Sequence, residues 1–324
     1  MINPVILLLV GQRVAQSFNG RLLKFGPTEV IFPPTSTLLP RSMVHFLGGT
    51  FLSTFPSSTY RNLIDSLSRR NYLVVCTSSP PLLGSLLDHN IVTKSSQREF
   101  NEFYDAYTHS LGGVWSQEKI ESIPIMGIGH SIGAKVLVNM DAESTKRRHS
   151  ANVMLSFNNF PAKASIPGLT EVELVGNQID NVRRGVVAAK FRQLSKGGVG
   201  WLPRLAEYVS YGSKLGVSGE FNPSPAEVWA MVGKRGSYSV PNNLVVQFSD
   251  DEIDESLELV RKLNEKRKEE VVGGGELRLC RLEGTHVTPN GIGEGDVENL
   301  VDVIDSFFLR VVLNNKSVQS GSIW

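Results

Sequence analysis

Short apolar runs alternate with amphipathic helical patterns along most of this chain, and the runs are apolar throughout rather than at every second residue. Residues 42–47, 72–76, 123–128, 152–157 and 243–248 have this character. Between them, apolar side chains recur at helical spacing: Tyr60, Leu63, Ile64 and Leu67; Phe100, Phe103, Tyr104, Tyr107 and Leu111; Ile132, Val136, Leu137 and Met140. A charged helix follows over 255–270, then a strand over 276–282. The last helix carries Val297, Leu300, Val301, Ile304, Phe307, Phe308 and Val311 on one stripe. A strand without alternation is covered on both faces, and strand and helix in turn put successive strands parallel. The expected fold class is therefore α/β, with a mostly parallel sheet flanked by helices.

The rhythm breaks between Asn158 and Asn242. That stretch shows helical patterns over 170–194 and 202–215 and no good strand, and an insertion this long between core strands reads as a lid or cap. The expected organisation is an N-terminal segment over 1–38, a core formed by 39–158 with 243–324, and a helical lid over 159–242. The N-terminal segment reads equally as first strands or as a remnant targeting sequence. Its 4–10 run is apolar but short, and 11–28 carries Arg13, Arg21 and Lys24 with no acid.

Composition removes several functions. The chain is 41% hydrophobic and 20% charged, with Lys and Arg balancing Asp and Glu to a formal charge of +1. A nucleic-acid partner is not expected, because the basic excess that attracts phosphates is missing. No apolar run is long enough for an integral membrane span. Cys76 and Cys280, each in a run that reads as a buried strand, are expected to be reduced apolar fillers. The six histidines show no metal-ligand spacing, so no metal site is expected.

The chemistry concentrates at Gly129-His130-Ser131-Ile132-Gly133, a G-x-S-x-G pentapeptide with a strand before it and a helix after it. The glycines two positions either side of the serine remove side chains that would collide in so sharp a turn. That leaves the Ser131 hydroxyl exposed above the sheet. A hydroxyl needs a base, and in this architecture the order is serine, acid, histidine. His286, in the loop after the last strand, is the expected base. His130 adjoins the nucleophile and is expected to point elsewhere; His45 sits in a strand, and His89, His109 and His149 lie on polar segments. The acid is expected at the end of the preceding strand, where Asp250, Asp251, Glu252 and Asp254 crowd together. Asp251 is the first choice, with Asp250 and Asp254 as alternatives. The amide of Ile132 and that of Gly49 or Thr50, in the loop after the first core strand, are the expected oxyanion donors. The tryptophans Trp201 and Trp229 of the insertion are expected to pack it.

Several segments resemble a known family, the alpha/beta-hydrolase-like domain of unknown function 1350 of oxygenic phototrophs. They are His45-Phe46-Leu47-Gly48-Gly49, Thr59-Tyr60-Arg61, Gly127 through Gly133, Leu155-Ser156-Phe157-Asn158-Asn159, Phe221-Asn222-Pro223-Ser224-Pro225, Asn243 through Phe248 with Asp251 through Glu255, and Gly284-Thr285-His286. The resemblance implies an alpha/beta-hydrolase fold with a helical lid, favours Asp251 over Asp250 as the acid, and implies plastid localisation, with the cytoplasm as the alternative. It leaves the substrate open. The insertion here is shorter than in plant members. The expected function is a serine hydrolase acting on a small-molecule ester or thioester through an acyl-enzyme, without a cofactor. Acyl transfer to an alcohol and a non-catalytic binding module are the alternatives, and the oligomeric state is not fixed by the sequence.

Overall fold

The computed structural model describes residues 14–15, 21–34, 39–49, 55–77, 87–143, 147–165, 220–270 and 275–320. Among them, β1 (Val14–Ala15), β2 (Leu22–Phe25), β3 (Thr28–Ile31), β4 (Ser42–Leu47), β5 (Tyr72–Cys76), β6 (Ile125–His130), β7 (Ala151–Leu155), β8 (Asn242–Asp250) and β9 (Leu277–Thr285) form one sheet in the order β1-β2-β3-β5-β4-β6-β7-β8-β9. From β5 to β9 every pairing is parallel, and β1 to β3 add antiparallel strands at one edge.

The helices are α1 (Pro56–Thr59), α2 (Arg61–Arg69), α3 (His89–Leu111), α4 (Gln117–Glu121), α5 (Ile132–Glu143), α6 (Ala162–Ser165), α7 (Pro225–Gly233), α8 (Ser256–Glu269) and α9 (Val297–Ser320). Two of them cover one face of the sheet. Leu63, Ile64 and Leu67 of α2 and Leu300, Ile304, Phe307 and Phe308 of α9 close over Val44, Phe46, Val74 and Ile128. The other face is packed by Phe100, Phe103 and Tyr107 of α3, by Ala134 and Val138 of α5, and by Leu259 and Leu263 of α8. Burial on both faces explains the continuous apolar runs: β4, β5 and β7 are buried at every position.

Within the N-terminal segment, residues 22–25 and 28–31 are strands of the sheet, and Leu22, Leu23, Val30 and Ile31 are buried in its core. Two features differ from the sequence reading. The strand of Cys280 is an edge strand rather than a buried one. It pairs only with β8, so Arg278 and Arg281 face water and Cys280 is half-buried. Finally, the last part of the expected insertion packs as core. Helix α7 starts at a capping box, in which Ser224 accepts from the Glu227 N–H while the Glu227 carboxylate accepts from the Ser224 N–H. Its Val228 and Val232, with Tyr238 and Val240, are buried against α5 and α8, because these apolar side chains complete the surface those two helices leave open. The helical patterns over 170–194 and 202–215, with Trp201, lie outside the described residues.

The strand order reverses beside β4, whose neighbours are β5 and β6. In an open α/β sheet, the carboxyl ends of the strands at such a point diverge and leave a crevice.

Candidate active site

Ser131 is the residue after β6, at the start of α5, and its backbone has φ 57°. A non-glycine residue in that left-handed region is strained, and the turn around it is closed on both sides. A Cβ on Gly129 would lie 2.5 Å from the Ala134 Cα, and one on Gly133 would lie 2.3 Å from the Leu47 carbonyl oxygen. The Ser131 N–H donates to the Leu155 carbonyl of β7 at 2.9 Å. The turn at Ser131 is thus held by β4, β7 and its own helix together, and only glycines at 129 and 133 let those backbones meet.

Asp251 and His286 reach Ser131 through strand register. Phe248 pairs with Leu282, but Asp250 pairs with Thr285, so β9 carries one residue more than β8 across this step. That bulge falls at Gly284, whose φ is 140°. It advances β9 by one position, so that Asp251 and His286 leave the sheet side by side. His286 Nδ1 donates to Asp251 Oδ2 at 2.8 Å, with Oδ1 at 3.0 Å. With its proton on Nδ1, the ring presents a lone pair at Nε2, and the Ser131 hydroxyl donates to it at 2.9 Å. The Asp251 side chain is wholly buried, whereas that of His286 is 22% exposed. Burial pushes the Asp251 carboxyl up, but its bonds to the His286 ring and the Ile253 N–H outweigh burial and hold it below its ordinary value. The arrangement gives a continuous proton path from hydroxyl to imidazole, with the carboxylate fixing the tautomer.

The alternatives for the acid stand elsewhere. Asp250 is exposed at the end of β8. Asp254 accepts from the Ser256 N–H at the start of α8, and burial, with Asp251 as a neighbour, raises its pKa to about 6.

Of the expected oxyanion donors, the Ile132 N–H lies in the first turn of α5, where backbone amides have no intrahelical acceptor. The Gly49 N–H does not fill the expected role, because it donates to the Tyr60 hydroxyl at 2.8 Å. Thr50 lies outside the described residues. Tyr60 was legible only as part of an apolar helix face, and nothing in the spacing announces that its hydroxyl turns toward the site. His130 does point away from the Ser131 hydroxyl, toward Tyr60 and the backbone of His286. Two histidines expected on polar segments, His89 and His149, are buried.

Among the described residues no three His, Cys, Asp or Glu side chains gather as a metal site would need, and no helix is long and apolar enough to cross a membrane.

Sheet order, flanking helices and the turn that carries Ser131 define an alpha/beta-hydrolase fold. Solved structures with this fold agree: a lipase in its open form (TM-score 0.51, 13% identity, covering 93% of this chain and 98% of that one), esterase B from Lactobacillus rhamnosis inhibited by a tributyrin phosphonate (0.50, 10%, 95% and 86%), and a thermostable carboxyl esterase from Bacillus coagulans (0.50, 11%, 93% and 98%). Within that class, the chain belongs to the family described as "Protein of unknown function (DUF1350)", whose model matches residues 30–298. No curated protein matches its sequence.

Proposed function

We propose that this protein is a serine hydrolase that cleaves a small-molecule ester or thioester through an acyl-enzyme. The observation that carries the reading is the unbroken path from Ser131 Oγ to His286 Nε2 at 2.9 Å and from His286 Nδ1 to Asp251 Oδ2 at 2.8 Å. In this reading Ser131 Oγ attacks the carbonyl carbon as its proton passes to His286 Nε2. The imidazolium so formed is stabilised by Asp251, and it returns the proton to the leaving oxygen or sulfur. Water then attacks the acyl-enzyme with His286 again as base, and Ser131 is regenerated. The Ile132 N–H is one donor to the tetrahedral oxyanion. With the Gly49 amide engaged by Tyr60, Thr50 is the remaining expected partner.

Esters and thioesters fit better than amides, because their leaving groups need less protonation. The named relatives of this fold are esterases and a lipase, which favours the same class. A fluorophosphonate probe tests the reading: it is expected to label the wild-type chain at Ser131 and to leave Ser131→Ala unlabelled. Equal labelling of both would remove Ser131 from the mechanism.

A further inference from the structure

His130 and Tyr60 lie beside the proton path without belonging to it. Both are buried, Tyr60 completely and His130 to within 1%. His130 Nε2 is 2.8 Å from the His286 carbonyl oxygen, and His130 Nδ1 is 2.7 Å from the Tyr60 hydroxyl. The Gly49 N–H meets the same hydroxyl at 2.8 Å. Every proton in this chain of bonds is fixed by its ends. A carbonyl only accepts, so His130 Nε2 carries the ring proton and donates it. Nδ1 is then a lone pair, so the Tyr60 hydroxyl donates to it. The Tyr60 oxygen, its proton committed, accepts from Gly49.

The result ties together three segments that are far apart in sequence. Gly49 is in the loop after β4, His130 is the residue before Ser131, and His286 carries the Nε2 that faces Ser131. We propose that Tyr60 and His130 are positioning residues, holding the backbone of His286 and the loop after β4 in fixed register with Ser131. This proposal rests on the hydrolase reading. Its physical content is that the His286 ring turns about a backbone anchored at its own carbonyl, so that rotation about its side-chain bonds alone carries Nε2 to Ser131 Oγ. The side chain that holds the anchor is next to the nucleophile, so a displacement of one segment carries the other with it.

A charged His130 would break the arrangement, since Nδ1 would then need an acceptor. It would also oppose the imidazolium of His286, whose ring centroid is 5.0 Å away. Burial, reinforced by the neighbouring His286, pushes the His130 pKa down to about 3 even though the His286 carbonyl and Asp251 pull the other way. The ring therefore stays neutral wherever the proton path is usable.

The experiment compares full-length variants with p-nitrophenyl butyrate and a fluorophosphonate as probes. His130→Asn leaves an amide where Nδ1 stood, facing Tyr60, but falls short of the His286 carbonyl. His130→Gln extends an N–H to the position of Nε2. Loss of the anchor is expected to lower kcat about 10- to 100-fold with KM nearly unchanged in His130→Asn. Recovery of most of that loss is expected in His130→Gln, and a smaller loss, about 10-fold, in Tyr60→Phe. Nitrogen-15 NMR of the wild-type chain is expected to find His130 as the neutral Nε2–H tautomer from about pH 5 to about pH 9. An Nδ1–H tautomer overturns the proposal, as does wild-type kcat in both His130→Asn and Tyr60→Phe. Equal losses in the Asn and Gln variants would mark plain packing and overturn it too. A wild-type chain inert to both probes defeats the hydrolase reading itself and takes the proposal with it, which separates that failure from the others.

Discussion

Two aspartate–histidine pairs occupy opposite ends of the sheet, and their shortest contacts are the same length. At the carboxyl ends His286 Nδ1 lies 2.8 Å from Asp251, and at the amino ends His149 Nδ1 lies 2.8 Å from Asp141. The difference is in what surrounds them. His286 is 22% exposed and turns its second nitrogen to Ser131. His149 is buried, with the rings of His45 and Phe100 packed near it, and Asp141 also accepts from Asn152. The buried pair is local, closing between the end of α5 and the start of β7. The other joins β8 to β9 and depends on a bulge. An aspartate–histidine contact is therefore no evidence of chemistry by itself; what sets the His286 pair apart is the Ser131 hydroxyl on its second nitrogen and its partial exposure.

The largest effect that tests this distinction is expected at the carboxylates. Asp251→Asn is expected to lower kcat on an activated ester by about 10⁴-fold, since an amide no longer fixes the reactive tautomer. Asp141→Asn is expected to leave kcat unchanged. Steady-state kinetics on the two variants checks this, and a comparable loss in Asp141→Asn would erase the contrast. Acid sharpens it further. The pKa of Asp251 is depressed in the folded chain, so the stability it contributes is present above its ordinary value and lost as pH falls through the folded one. Asp251→Asn is expected to show a shallower loss of stability in acid than the wild type, measured by denaturant titration at stepped pH.

The bulge comes next. Gly284 has φ 140°, and a Cβ there would lie 2.4 Å from Thr288 Oγ1. Gly284→Ala is expected to relax the step, shift His286 relative to Asp251, and lower kcat by about 100-fold. The buried pair lies far from the bulge and is expected to keep its ring environment, which NMR of His149 reads directly. Asp141→Ala is the mirror experiment. Leaving His149 without its acceptor, and Asn152 with only the Tyr238 hydroxyl, is expected to cost about 3 kcal/mol of unfolding free energy while fluorophosphonate labelling proceeds at the wild-type rate.

What the sequence reveals about these regions follows the range of the interactions. The strands are legible because both-face burial writes a continuous apolar run, as in β5, where every residue from Tyr72 to Cys76 is buried. The turn at Ser131 is legible because its glycines are required by backbones that would otherwise overlap. The preference for Asp251 over Asp250 and Asp254 is legible only as a preference, since the register step that sets Asp251 beside His286 is defined by the paired strands. The engagement of Gly49 by Tyr60 is hidden, because a tyrosine on an apolar helix face looks the same in sequence whether or not its hydroxyl is bonded. For β9 the strand is legible but its burial is not: it is an edge strand paired only with β8, and its alternating exposed residues lie beyond what an apolar run reveals.

Helix α5 connects the two ends, with Ser131 just before it and Asp141 near its last turn, and Lys135 is buried between them. Its ammonium has no hydrogen-bond partner among the described residues and lies 4.7 Å from the centroid of the Phe221 ring. Burial lowers its pKa from 10.5 to about 8, against the attraction of Glu220, Glu255 and Glu227. Between those values the unfolded chain binds more protons than the folded one, so stability rises with pH across that window. Below it the amine is charged in both states and its desolvation cost is felt in full. Lys135→Met keeps the packing of the stem and removes the charge. It is expected to raise the unfolding free energy at neutral pH by about 1–3 kcal/mol and to flatten its rise between pH 8 and 10.5. Denaturant unfolding at stepped pH measures both. A retained slope would locate the titration in another group, and the cost of burying charge along α5 would then belong to the pairs at its ends rather than to the lysine between them.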